Sequence, residues 1–287
     1  MIDVLWLALR AAGLIFSFEA AGMALFVASF APRLERAGTA LRLRARRIAL
    51  AALAVLAAQA LFEPAHMAGE WAGAGDDALW RLSFTSPAGV SNLVRFAGLV
   101  LLAFGLATAR PRTLAPALGG SVAVVVAPLL SGHTAVHPER VLLAPLLFVH
   151  LSVLAFWFGS LRPLRALTVR ESPLVAARVL QGFSRTAVWL VPLIGLAGAA
   201  MAVLLLPGPA ALLEPYGALL LAKVLLFALL LGLAALNRLR LVPALARGQG
   251  EAALRLRRSI ALEYLLMCTA FAVTAVMTGM FAPSGAA

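Results

Sequence analysis

Cysteine is nearly absent. Cys268 is the single one, it sits inside an apolar run, and it excludes an intrachain disulfide framework and a paired CxxC centre. Charge is scarce as well: 13% of the 287 residues are charged, against about 25% in an ordinary soluble domain, and 63% are apolar, against about 45–50%. With a mean hydropathy of +0.98, the composition excludes a water-soluble globule and makes the bilayer the solvent. No nucleophile-and-base motif, phosphate loop or intramembrane protease signature is present, which argues against an enzyme. The net charge of +12 does not mark a nucleic-acid partner, because the basic residues lie between apolar runs and not along one surface.

What is abundant is long apolar sequence. A helix needs about 20 mostly apolar residues to cross the hydrocarbon core with its backbone polar groups satisfied. Eight runs approach that length: 4–30, 48–62, 93–109, 114–130, 141–161, 186–206, 217–236 and 259–281. The second is short, and Gly119 and Gly120 weaken the fourth. The expected fold is therefore all-α, a polytopic integral membrane protein with about eight transmembrane helices in one bundle. The first run opens with Met1, Ile2 and Asp3 and is too long for the core of a signal peptide, so it reads as a retained span. A break at 131–138 divides the spans into 1–137 and 138–287, four and four.

Charge sets the orientation. Alternate connections carry Arg33, Arg36, Arg42, Arg44, Arg46 and Arg47; then Arg110 and Arg112; then Arg162, Arg165, Arg170, Arg178 and Arg185; then Arg238, Arg240, Arg247, Arg255, Arg257 and Arg258. The intervening ones hold Glu63, Glu70, Asp76, Asp77, Glu139 and Glu214, with Arg81, Arg95 and Arg140 as their basic residues. The positive-inside rule makes the arginine-rich set cytoplasmic and both termini periplasmic. The outer connection 63–92 carries Trp71 and Trp80 and reads as an interfacial cap.

Four histidines and several methionines carry the candidate chemistry. His133 and His137 occupy a short outer loop, His66 and Met67 end the second run, and Met277 and Met280 share a helical face at i, i+3. Imidazole suits copper and zinc, and thioether sulfur selects Cu(I), so these residues make a candidate soft-metal entrance; a single methionine in an apolar helix is more often a gap-filler. His150 lies near the membrane midplane, where a polar side chain is costly and is read first as functional; the bland reading is a hydrogen bond to a neighbouring helix carbonyl. Trp157 follows seven residues later on the same face, and Lys223 is the other deep charge. Of the two intramembrane carboxylates, Glu19 is expected to be the functional acid and Glu263 an interfacial partner of Arg257 or Arg258. Arg10 and Arg95 are expected to be anchors or carboxylate partners near outer helix ends.

Several blocks resemble the copper resistance protein D family. They are residues 150–161 (HLSVLAFWFGSL), Phe183 with Ser184, residues 215–217 (PYG) followed by Lys223, residues 237–245 (NRLRLVPAL) and residues 254–263 (LRLRRSIALE), with a softer likeness at 85–95 and at Ser131, Gly132 and His133. The resemblance implies an eight-helix protein of the bacterial inner membrane, associated with copper uptake and supplied by a separate periplasmic chaperone of the CopC type. It marks His150, Trp157, Lys223, Asn237 and Glu263 as family positions.

The resulting expectation is a copper importer, for Cu(I) or Cu(II), embedded in membrane lipid. His66, Met67, His133 and His137, with Met277 and Met280, would receive the ion, and His150 would form an inner site. A haem-binding electron-transfer protein and a non-transporting copper-delivery factor are the competing readings.

Overall fold

The computed structural model describes residues 1–34, 36–107 and 114–281. Among them no strand occurs, and the chain is an all-α membrane protein. Its helices are α1 (Ile2–Phe30), α2 (Gly38–Ala68), α3 (Asp77–Thr85), α4 (Pro87–Gly105), α5 (Leu114–Val126, continued by a 3-10 turn Ala127–Leu130), α6 (His133–Val136), α7 (Arg140–Arg170), α8 (Pro173–Leu205), α9 (Pro215–Leu236), α10 (Val242–Ala246) and α11 (Ala252–Met280). A π-helical turn, Asn237–Leu241, joins α9 to α10. Seven helical segments are long and apolar enough to cross a membrane, and the eighth apolar run, Leu114–Leu130, is a shorter helix packed against α1 and α4.

The helices overrun the apolar windows at their arginine-rich ends. Arginine is a good helix former, so α2 begins ten residues before the window, and Arg42, Arg44, Arg46 and Arg47 lie on it. The α7–α8 connection shrinks to Glu171 and Ser172, leaving Arg162, Arg165 and Arg170 on α7 and Arg178 and Arg185 on α8. Ser172 caps α8 by accepting from the Val175 N–H, with Pro173 in the first turn. Glu171 instead accepts from the backbone N–H groups of Arg36 and Ala37 at 2.9 and 2.7 Å, fixing the start of α2 to the end of α7. Arg110 and Arg112 lie outside the described residues. On the opposite side, the connection after α2 forms a 3-10 turn, Trp71–Gly75, and the short helix α3, capped by Asp76.

Close packing comes from small residues, as is usual between membrane helices. Gly22 of α1 and Gly159 of α7 meet backbone to backbone; a Cβ on either would collide with the other helix. Gly98 of α4 and Gly120 of α5 do the same. Helix α1 is shared by two cores: Ala20, Met23 and Ala24 pack with α2, α4 and α5, and Phe18, Phe26 and Phe30 pack with α7, α8 and α11. Helix α9 is peripheral, exposing Val224 and Leu225 to the bilayer, and it packs mainly on α11, approaching α8 where Phe227 lies against Gly195.

Candidate functional site

A gap opens between α8 and α9 in the C-terminal half. It is a cavity of about 240 Å³, walled by Leu180, Phe183, Val191, Pro192 and Leu231 and ending on Trp157, Asn237, Arg238 and Glu263. Its polar end is assembled from three separate segments. Asn237, the first residue of the π turn, donates its amide Nδ2–H to the Glu263 carboxylate, and the Trp157 indole of α7 also faces that carboxylate. Asn237 Oδ1 is buried without a partner. Arg238 donates to the Ser184 carbonyl at 2.7 Å and its hydroxyl at 3.0 Å, holding the π turn to α8. Trp157 is buried and meets Phe227 edge to face.

One turn beyond Val191 and Pro192 is the second polar group. His150 of α7 places Nδ1 at 3.1 Å from the carbonyl of Ile194 on α8. A carbonyl only accepts, so Nδ1 carries the proton and Nε2 keeps its lone pair. Gly198, a turn further along α8, sits beside this ring. Lys223 of α9 is half-buried and within electrostatic reach of the imidazole.

The two carboxylates depart from expectation. Glu263 is buried at 3% exposure, and no salt bridge to Arg257 or Arg258 forms among the described residues. Five and six positions along a helix are not neighbours, so those arginines leave the face on which Glu263 points inward. Glu19 is the one that is ion-paired. It is fully buried, with Arg162 Nε 3.0 Å from Oε1, an approach whose angle falls short of a hydrogen bond. Tyr264 donates its hydroxyl to Oε2 at 2.8 Å, and the Arg162 guanidinium stacks 4.6 Å over the Tyr264 ring. The apolar run ends at Leu161 and puts Arg162 in a loop; the continuation of α7 to Arg170 brings it to Glu19 instead. Arg95 also differs: α4 starts at Pro87, so Arg95 falls mid-helix, buried, with Nε unpartnered.

Two of the candidate entrance histidines reach the last turn of α11, His66 through Trp6 and His133 directly. His66 Nδ1 lies 3.1 Å from Asp3 Oδ1, and the ring stacks on Trp6 at 4.0 Å. Trp6 donates to Glu63 at 2.8 Å and packs against Gly279. Arg10, expected as an anchor, lies over the Trp6 ring and donates to Thr278 at 3.0 Å. From the other side, His133 Nε2 reaches the Phe281 carbonyl at 3.2 Å. Met277 is buried here and Met280 is 57% exposed; Met67 is exposed at the end of α2. His137 differs from the other histidines, since its Nδ1 accepts the Glu139 N–H at 3.1 Å; that lone pair is already in use, and Nε2 carries the proton in the neutral ring. Among the described residues no group of three or more His, Cys, Asp or Glu stands close enough to hold a metal ion.

Comparison with known proteins bears on this arrangement. The pattern of copper resistance protein D matches residues 177–277, and that of the copper resistance protein D-like N-terminal domain matches residues 1–141. The chain belongs to the copper resistance protein D family. Copper resistance protein D of Pseudomonas syringae pv. tomato is 35% identical over 196 residues, which cover 61% of this chain and 62% of that protein. The matched region thus spans less than two thirds of that relative's length. No solved structure matches the chain. Lys223, Asn237 and Glu263 fall within the copper resistance protein D match, and His66 and His133 fall within the N-terminal one; His150 and Trp157 lie between the two.

Those in the C-terminal half form two groups: Trp157, Asn237 and Glu263 at the polar end of the cavity, and His150 with Lys223 outside its lining, about a turn along α8 from Val191 and Pro192. Chemically, the second group offers a neutral imidazole nitrogen beside a cation. The first offers a carboxylate held by neutral donors, free of the ion pair that engages Glu19.

Proposed function

We propose that this copper resistance family protein handles copper in the bacterial inner membrane and imports it from periplasm to cytoplasm. The observation that carries this reading is the geometry of His150. A histidine that metallates on one nitrogen almost always gives its other N–H to a carbonyl or carboxylate, which fixes the ring and the tautomer. His150 has that arrangement at mid-membrane, with Nε2 left over. His133 on Phe281 and His66 on Asp3 are held in the same way, and in this reading Met277, Met280 and Met67 add thioethers at the outer end. Imidazole and thioether together suit copper in either oxidation state, with sulfur favouring Cu(I). His137 joins the set only on releasing the Glu139 N–H.

In this reading the arginine-bearing helix ends are cytoplasmic, both termini are periplasmic, and a separate chaperone of the CopC type delivers the ion. Copper passes from the outer histidines and methionines to His150 and then along the α8–α9 cavity to Glu263 and Asn237. Successive two- or three-ligand sites suit transfer better than one closed trap, because copper binds such donors tightly. Glu263 takes the part of titrating acid first expected of Glu19, since its donors are neutral and it faces the cavity. The protein acts as a carrier and not as an enzyme.

Replacing His150 with alanine tests the reading. Cells carrying His150→Ala are expected to accumulate no more copper than cells lacking the protein, while the variant inserts in the membrane at the normal level. Unchanged accumulation would remove His150 from the path.

A further inference from the structure

On the other face of the π turn lies a second, larger and open cavity, about 720 Å³, lined by the end of α9, the turn itself, α10 and the start of α11. Four arginines from three segments line it: Arg240 from the π turn, Arg247 after α10, and Arg255 and Arg258 from the first turns of α11. Arg255 is paired with Glu251. Among the described residues no carboxylate pairs with Arg240, Arg247 or Arg258, three exposed arginines that line the same space.

A second observation points to a missing acceptor. Ser259 lines this cavity at 8% exposure, and its Oγ is buried with no hydrogen-bond partner. Serine and threonine within helices commonly donate to the carbonyl one turn back, as Ser160, Thr269, Thr274 and Thr278 do here. Ser259 does not. The cavity therefore carries an excess of positive charge, several donors and a buried, unused hydroxyl in its wall, and no carboxylate lines it.

The remaining wall is apolar and faces lipid. Leu233, Leu236 and Leu262 line the side towards the bilayer, with Leu236 and Leu262 at 40% and 46% exposure. Guanidinium groups at one end and exposed leucines at the other match a ligand with a phosphate head and hydrocarbon tails. Basic pockets between helices on the cytoplasmic side are the usual seats of anionic lipid headgroups, and arginine binds phosphate oxygens in pairs.

We propose that this cavity binds the phosphate of an anionic phospholipid, with its acyl chains lying along Leu233, Leu236 and Leu262. The site is distinct from the α8–α9 cavity but shares the π turn with it. Asn237 begins the turn and bonds Glu263, whereas Arg240 ends on the lipid side, so a bound lipid steadies the segment that carries Asn237.

The test uses the full-length protein in detergent, titrated with phosphatidylglycerol or phosphatidylcholine and followed by native mass spectrometry. Phosphatidylglycerol is expected to bind about tenfold or more tightly than phosphatidylcholine. The double variant Arg240→Gln/Arg258→Gln is expected to lose about that factor. The pair Arg165→Gln/Arg178→Gln, which removes as much charge from exposed sites on α7 and α8, is expected to change nothing. Ser259→Ala keeps every charge and is expected to weaken binding about threefold, a hydrogen bond's worth. Equal affinity for the two lipids would overturn the proposal, as would equal losses in the two arginine pairs. Inorganic phosphate binding as tightly as the lipid would identify a soluble-anion site and overturn it too.

Discussion

A carboxylate buried in a membrane protein must be compensated, and Glu19 shows how. Its compensation is a half-exposed arginine and a tyrosine hydroxyl from two other helices, so α1, α7 and α11 are fastened at one point. Tyr264→Phe removes the hydroxyl donor and is expected to destabilise the protein by about 1.5–3 kcal/mol, the range for a hydrogen bond to a charged group. Arg162→Ala is expected to cost at least as much, because it leaves the carboxylate without a countercharge. Thermal unfolding in detergent measures both, and an unchanged Tm for Tyr264→Phe would show that the bond carries no weight. Neither partner was legible in the sequence. Arg162 stands at the edge of an apolar window and reads as loop, and Tyr264 is an ordinary aromatic in a span. Glu263 misleads in the opposite way: arginines adjacent in sequence suggest a pair, whereas helical rotation turns them away. His150 was legible as an anomaly of depth, but its partner, a carbonyl 44 positions along the chain, leaves no trace in the residue pattern.

At the scale of elements, hydropathy located the spans and misplaced their ends. Apolar windows stop where arginines begin, and the helical backbone does not, so α2, α7 and α8 are all longer than their windows. The adjacent glycines of α5 are more instructive. In the sequence Gly119 and Gly120 simply weaken a span; in the bundle they have opposite roles. A Cβ on Gly119 would meet open space, and one on Gly120 would strike the backbone of α4 at Gly98 and Leu102. Gly119→Ala is therefore expected to be neutral or to stabilise by up to about 1 kcal/mol through helix propensity. Gly120→Ala is expected to destabilise by about 1–3 kcal/mol through overpacking. Equal shifts in unfolding temperature for the two variants would contradict the α4–α5 crossing. The same backbone contact at Gly22 and Gly159 joins α1, the helix shared by both cores, to α7 of the C-terminal one.

Over the whole molecule, α1 is the shared wall between a compact N-terminal group of helices and a looser C-terminal one in which α8 and α9 part around a cavity. Trp157, Asn237 and Glu263 line that cavity, on α7, the π turn and α11, far apart in sequence and adjacent in space. Their order along the chain was readable in advance. Their convergence was not, because it depends on the π turn that swings Asn237 towards Glu263. His66 and His133 likewise come from distant segments to the end of α11, one through Trp6 and the other directly, an approach that exists only in the folded protein. The central claim, that copper crosses the membrane along this route, is tested most directly by copper uptake into proteoliposomes containing the purified protein. Time-dependent copper accumulation above that of empty liposomes, abolished in His150→Ala, is the predicted result. Protein that binds copper yet moves none into the lumen would contradict it and leave a delivery factor in its place.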